Sequence, residues 1–371
     1  MSSNAGSKHS ADIGLLLVIA ALVLFGLMMI SSASSVVAER FREDTYFFLK
    51  HQLMFGGTAG LGLFLIGFFL PYRKWKYLAL PGFLLALLLL ILVFIPGIGL
   101  KYADASRWIG LGPLTLQPTE LAKLAFIVYL AALLDRKGED VRDWRKSVVP
   151  FVVIAGVVAL LIGLQPDVGT LFATAAIGAA MVFVAGFRLR HLAFLSLGAL
   201  AGFTLLASTA SYRLSRLITY LHPELDPQGI GYQINQALLA VGTGGVWGLG
   251  FGRSRQKYQF LPEPAGDSIF AIIAEELGLV RTLLVVGAFV WIGWRGYAIA
   301  RLAPDTFGRL LATGITTWIL VQAFVNMGAI LGIIPLTGIP LPFISYGGSA
   351  LAILLLAAGI LLNISKYTVV E

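Results

Sequence analysis

Long apolar runs separated by short, charge-bearing connections dominate this chain. They cover Ile13–Ser32, Phe48–Leu70, Tyr77–Pro96, Pro118–Leu134, Val148–Leu164, Val168–Gly186, His191–Ser208, Ser268–Ile292, Gly308–Ile333 and Phe343–Ile364. At 1.5 Å per residue such runs cross the ~30 Å hydrocarbon core of a bilayer. The pattern therefore predicts an all-α polytopic membrane protein of about ten transmembrane helices. Composition agrees: 58% of the 371 residues are hydrophobic and mean hydropathy is +0.87, too apolar for a soluble domain. The first run is longer than a signal-peptide core and reads as a retained helix.

Charge sets the orientation. Lys and Arg concentrate in the even-numbered connections, as in Arg73, Lys74 and Lys76 or Arg136, Lys137, Arg142, Arg145 and Lys146. The odd-numbered ones hold only Arg40, Arg42, Lys50, Lys101 and Arg107 outside the long loop. The positive-inside rule then puts both termini in the cytoplasm and turns the loop from Thr209 to Asp267 outward. Much of the formal charge of +8 is thus a topology signal, and no interleaved basic and aromatic surface suits nucleic acid. Without cysteine there is neither a disulfide framework nor a thiolate metal site.

The connections on the cytoplasmic side are too short for a second domain, so one membrane domain spanning 1–371 is expected, with the 209–267 loop inside it. That loop exceeds the usual length of a structureless connection. Its middle, Gly231 to Val241, is amphipathic, with Ile234, Leu238 and Val241 on one face and Gln233 and Gln236 away from it. A structured lid between the seventh and eighth helices is predicted.

Candidate chemistry clusters at the end of the lid, in LPEPAGDSIFAIIAEELG from Leu261 to Gly278. Asp267 stands just before an apolar helix at the membrane surface. Its residue type fits an N-cap as well as a general base, and spacing leaves both open. Glu263 lies close enough in sequence to raise its basicity. Glu275 and Glu276 fall deeper, where carboxylates are rare and face a partner or a wet cavity; an ion pair with Arg281 or another helix is the simpler reading. Lys123 follows Glu120 by three residues, which fits either a helical pair or a buried cation facing a diphosphate. The outer face also carries Arg213, Arg216, Arg253, Arg255 and Lys257 beside Lys101 and Arg107, an excess that suggests an anionic ligand. The four histidines are scattered and make no metal cluster.

The run from Tyr212 to Gly278, with RWIGLGPLTLQPTELAK (Arg107–Lys123), QPDVGT (Gln165–Thr170) and the Asn326–Ala350 stretch ending in PLPFISYGGSA, resembles the SEDS proteins, the FtsW/RodA/SpoVE family. The likeness covers essentially the whole chain. GYQ at Gly231–Gln233 and SRQK at Ser254–Lys257 look more like the division branch than the elongation branch. The resemblance implies a peptidoglycan glycosyltransferase that polymerises lipid II at the outer face of the bacterial cytoplasmic membrane. It also implies a class B penicillin-binding protein as transpeptidase partner, with other division or elongation membrane proteins. The family's essential outer-loop acid falls on Asp267. Where the family often reads LPEAHTDFIF, this chain has Ala265, Gly266 and Ser268, so a relay through that histidine is not available.

The implied reaction joins a sugar 4-hydroxyl to an anomeric carbon and expels polyprenyl diphosphate with inversion. It calls for one base and several cations rather than a glycosidase's two carboxylates. Asp267 is the expected base, and Arg107, Lys123, Arg216, Lys257 and Glu263 are the expected substrate-binding residues. No cofactor is called for, although a divalent cation could share the diphosphate charge. Two alternatives remain at this point: a flippase for a lipid-linked sugar, using the intramembrane charges as a path, and a non-catalytic division scaffold.

Overall fold

The computed structural model describes residues 9–102, 105–112, 114–208 and 218–369. Among these, Ile13–Ala33, Phe47–Phe69, Tyr72–Leu92, Trp144–Leu164, Thr306–Ile330 and Gly348–Ser365 form the helices long and apolar enough to cross a membrane, and Val168–Val184 is a shorter apolar one. Pro118–Lys137, Leu189–Ser208 and Ile269–Leu302 are further long helices that overlap predicted runs. Helix starts follow local chemistry. Asp12, Asp167 and Asp305 each accept a backbone N–H three residues on, at 2.9, 3.0 and 2.8 Å, and Pro118 occupies the first turn of its helix, where its missing N–H costs nothing.

Burial separates inner from outer helices. In Thr306–Ile330 and Gly348–Ser365 83% of the apolar window is buried within the protein, against 22–33% in the other four. The first two are the core. The others turn residues such as Leu17, Leu24, Leu84 and Leu160 outward, as lipid-facing helices must. Gly348–Ser365 packs closely against Thr58–Phe69 through a glycine crossing: a Cβ at Gly67 would lie 2.5 Å from the Leu356 carbonyl oxygen, and one at Gly359 would lie 2.4 Å from that of Phe64.

Three features differ from the pattern-based reading. The connection before Pro118 folds into an antiparallel meander of β1 (Gly99–Tyr102), β2 (Ala105–Leu111) and β3 (Leu114–Leu116), with Gly99 opposite Ile109 and Ile109 opposite Leu116. These strands are too short for alternation to announce them. The helix expected over Ser268–Ile292 continues to Leu302, where Arg295 is satisfied by Asp12 at 2.8 Å, and it breaks at Gly278. There φ is +75°, and a Cβ would lie 2.2 Å from the Gly248 nitrogen. The backbone of 245–250 laces into the break through Leu249 N–H to Glu275 O (3.0 Å), Gly250 N–H to Glu276 O (2.9 Å) and Leu279 N–H to Gly245 O (2.9 Å).

The helix inside the long loop runs Ile230–Gly244, and its buried face differs from the one expected. Leu238 is exposed, whereas Ile234, Ala237, Ala240 and Gly244 are buried. Small residues won because the helix approaches Ile269–Leu302 closely: a Cβ at Gly244 would lie 2.1 Å from the Ala274 carbonyl oxygen. The rotation brings Gln233, expected to point away, to Ser268 at 3.0 Å.

Candidate active site

The Leu261–Ser268 turn is held by its own backbone and by two distant segments. Glu263 adopts φ +47°, and its carbonyl accepts the N–H groups of Gly266 (3.0 Å) and Ser268 (3.3 Å). The Ala265 carbonyl accepts Tyr346 N–H at 2.8 Å, and the Gly266 carbonyl accepts the Ser345 hydroxyl at 2.8 Å. Asn326 closes the frame. Its amide donates to the carbonyl of Asp267 at 2.7 Å and to that of Ile339 at 2.8 Å, tying the turn and the 337–343 segment to one core helix.

Asp267 is half-buried at the mouth of the following helix. The N-cap position falls on Ser268, whose side chain makes no capping bond. The Ser268 hydroxyl lies 3.5 Å from Asp267 Oδ1, and Gly338 faces Oδ2 with room for a Cβ only at van der Waals distance, 3.8 Å. Glu263 is exposed on the same turn, its Oε2 3.3 Å from where a Cβ at Gly266 would stand. Thr337 and Ile339 in turn pack on Gly169, at the start of Val168–Val184. Arg107, half-buried on β2, donates to the Gln165 carbonyl at 3.1 Å and to that of Pro166. The meander, the 165–170 corner and the 337–343 segment thus form a continuous wall beside Asp267.

Lys123 sits elsewhere than expected for a group that touches substrate. It is 1% exposed, paired with Glu120 at 2.7 Å and bonded to Gln322 Oε1 at 2.8 Å. Gln322 also accepts Trp318 Nε1–H at 2.7 Å and donates to the Pro340 carbonyl at 3.1 Å. The helical-pair reading describes this geometry, and the pair anchors the same 337–343 segment one helical turn from Asn326.

Lys257 is likewise enclosed, 3% exposed, with Glu276 at 3.4 Å, Ser32 at 3.2 Å and the Gly252 carbonyl at 2.7 Å. Glu276 and Glu275 gather the loop around them. Glu276 accepts Ser32 Oγ–H (2.7 Å), Gly252 N–H (3.0 Å) and Ser254 N–H (3.2 Å), while Glu275 accepts Arg255 N–H (2.9 Å) and the Ser254 hydroxyl. The ion-pair partner is Lys257, not Arg281, whose side chain donates to the Trp247 carbonyl. Arg216, with Arg213, lies outside the described residues. Among the described residues no group of three or more His, Asp or Glu is arranged to hold a metal ion.

Sequence reasoning missed Asn326, Gln322, Gln233, Ser345 and Tyr346. Asn326 and Gln322 carried a usable signal, because amides four residues apart inside an apolar span share a face and need partners.

A multi-pass helical membrane protein with a carboxylate turn buttressed at one end of its core is the class these features define. The chain belongs to the FtsW/RodA/SpoVE family of cell cycle proteins, whose family model matches residues 13–369. It is 43% identical over 363 residues to stage V sporulation protein E of Bacillus subtilis, covering 97% of this chain and 98% of that one. It is 42% identical over 354 residues to the probable peptidoglycan glycosyltransferase FtsW of Geobacter metallireducens, covering 95% and 94%. Among solved structures it is similar to a chain of a peptidoglycan synthase complex described as coordinating polymerization and crosslinking, at TM-score 0.79 and 29% identity over 96% of this chain and 98% of that one. It also resembles the rod shape determining protein RodA of Thermus thermophilus, at TM-score 0.71 and 29% identity over 97% and 98%.

Proposed function

We propose that this protein polymerises lipid II into glycan strands at the outer face of the bacterial cytoplasmic membrane, with Asp267 as general base. The supporting observation is the frame around that residue: backbone bonds from Asn326, Ser345 and Tyr346 fix a half-buried carboxylate at a helix mouth. Preorganisation of this kind is what a positioned base needs. The acceptor's 4-hydroxyl gives its proton to Asp267 as its oxygen attacks the donor's anomeric carbon. The bond to the diphosphate breaks, polyprenyl diphosphate leaves with the electron pair, and the configuration inverts.

Arg107 is the cation on the wall beside Asp267 and is assigned to donor diphosphate or sugar, as is Arg216 from its place in the outer loop. Glu263, exposed next to the base, is assigned to the acceptor side. Lys123 and Lys257 are assigned to positioning, since their charges are spent on Glu120 and Glu276. With Ala265 and Gly266 in place of the family's histidine and threonine, the proton passes from Asp267 to water without that relay.

The whole chain, residues 1–371, is read as one transmembrane unit with both termini in the cytoplasm and the 209–267 lid outside. A class B penicillin-binding protein is the proposed transpeptidase partner, among other division or elongation membrane proteins, and the GYQ and SRQK motifs favour the division branch. The flippase reading loses its support because Glu275, Glu276, Lys257 and Lys123 are occupied by protein partners rather than lining a path. Reconstitution with the partner in liposomes containing lipid II separates the two. Glycan strands without lipid II crossing the bilayer support the polymerase. Crossing without strands overturns it.

A further inference from the structure

At the end of the bundle where the positive-inside rule places the cytoplasm, the 138–145 connection and the 185–191 corner enclose an open cavity of about 930 Å³. Arg142, Arg145, Arg188 and Arg190 line it, all exposed. Among the described residues none of these guanidiniums pairs with a carboxylate. Two acids share the wall, and the Arg145 charge also acts on Asp143. Asp140 holds Lys146 Nζ at 2.9 Å, and Asp143 accepts Lys146 N–H at 3.0 Å, a bond that lowers the Asp143 carboxyl below its usual range. Gly186, at φ +92°, makes the corner that turns Arg188 and the first turn of Leu189–Ser208 toward the cavity.

The second observation is His191. It lines the same cavity, is 4% exposed, and its Nδ1 has no hydrogen-bond partner. Its ring is fixed edge-on to Trp144 at 5.4 Å and to Phe187 at 6.5 Å. A buried polar atom without a partner is costly unless something supplies one. Four unpaired guanidiniums explain a topology signal, but they do not explain an orphaned imidazole held rigid among them.

The geometry points to a binding site for a phosphate group in this cavity, with the arginines taking the charge and the buried His191 ring backing the wall between them. An anionic phospholipid headgroup and a free phosphate share this chemistry. Trp144 on the cavity wall is exposed, and the exposed Phe194 packs edge-on against it at 4.8 Å, where acyl chains would run. The site lies apart from Asp267 and is independent of the polymerase reading.

The test uses the full chain in nanodiscs of equimolar phosphatidylcholine and phosphatidylglycerol, with retained phosphatidylglycerol counted by native mass spectrometry. A parallel arm in phosphatidylcholine alone measures the melting shift given by inorganic phosphate over chloride at equal ionic strength. Arg145→Ala/Arg188→Ala and His191→Phe are compared with Lys74→Ala/Arg301→Ala, which removes the same charge from other even-numbered connections. A fall of about tenfold in lipid retention for the arginine pair, with a smaller fall for His191→Phe and none for the control, supports a headgroup site. Unchanged lipid retention with the phosphate shift abolished supports a free-phosphate site. Equal losses in the control, or no loss in either arm, overturns the proposal.

Discussion

Replacing Asn326 with leucine should disable the enzyme more than it unfolds it. The side chain donates twice, to Asp267 O at 2.7 Å and Ile339 O at 2.8 Å, and leucine keeps its volume while removing both bonds. Each lost bond costs about 1 kcal/mol, and a carbonyl left buried without a donor costs about 1–3 kcal/mol. Part of that is returned, because the Asn326 Oδ1 atom is itself buried without a partner and disappears. A net destabilisation of about 2–4 kcal/mol follows. The turn keeps its bonds from Ser345 and Tyr346, so it shifts rather than detaches. A displacement of about 1 Å at a base costs on the order of 10²-fold in rate. The assay is lipid II polymerisation by protein shown to be folded by gel filtration and intrinsic tryptophan melting. The expected result is a kcat loss of about that size with a small change in KM. Asn326→Asp loses the same donors and sets a buried carboxylate against two carbonyls, so it should lose at least as much activity and more stability. Wild-type turnover by folded Asn326→Leu would refute the claim that this amide positions the base.

Lys123→Met leaves Glu120 as an uncompensated buried anion and should destabilise by about 3–5 kcal/mol, while Lys123→Met/Glu120→Gln recovers much of it; a double variant melting no higher than the single would contradict the pairing. Gly278→Ala meets both a positive φ and the Gly248 backbone, so loss of folded protein at the gel-filtration step is expected, against little effect from Gly287→Ala, where a Cβ has open space. Glu276→Gln keeps the shape around Gly252 and Ser254 but strands the Lys257 ammonium, so limited proteolysis should cut faster within 252–258 and the melt should fall by roughly 2–4 kcal/mol; an unchanged digestion pattern would count against the clamp.

Most spans were legible because each is a long apolar run, and a bilayer allows such a run little choice but helix; Pro118–Leu134 and Ser268–Ile292 were legible despite Glu120, Lys123, Glu275, Glu276 and Arg281 within them. What periodicity could not reach was short or close-packed. The strands of the 99–116 meander are three to seven residues long, and the Ile230–Gly244 helix hides alanines and glycines while showing Leu238, the reverse of what side-chain size suggests. Asp267 was legible as a candidate, and its sequence neighbour Glu263 does share its turn. Its supports were not, because Asn326, Ser345 and Tyr346 reach it across some 60 to 80 residues of chain, a pairing that one sequence does not encode visibly. Two of the candidate cations show the same limit. Residue type marks Arg107 and Lys257 alike, and only packing shows that one bonds the Gln165 and Pro166 carbonyls while the other is paired with Glu276.

The central claim is that Asp267 takes the acceptor's proton, and Asp267→Asn tests it most directly, being isosteric and leaving the backbone bonds to Asn326 intact. Wild type and variant would be reconstituted with the transpeptidase partner, checked for equal lipid II binding, and compared for glycan strand formation. The account predicts that the variant binds substrate and forms no strands. Strands at the wild-type rate from a variant that binds equally well would contradict it and transfer the role of base to Glu263.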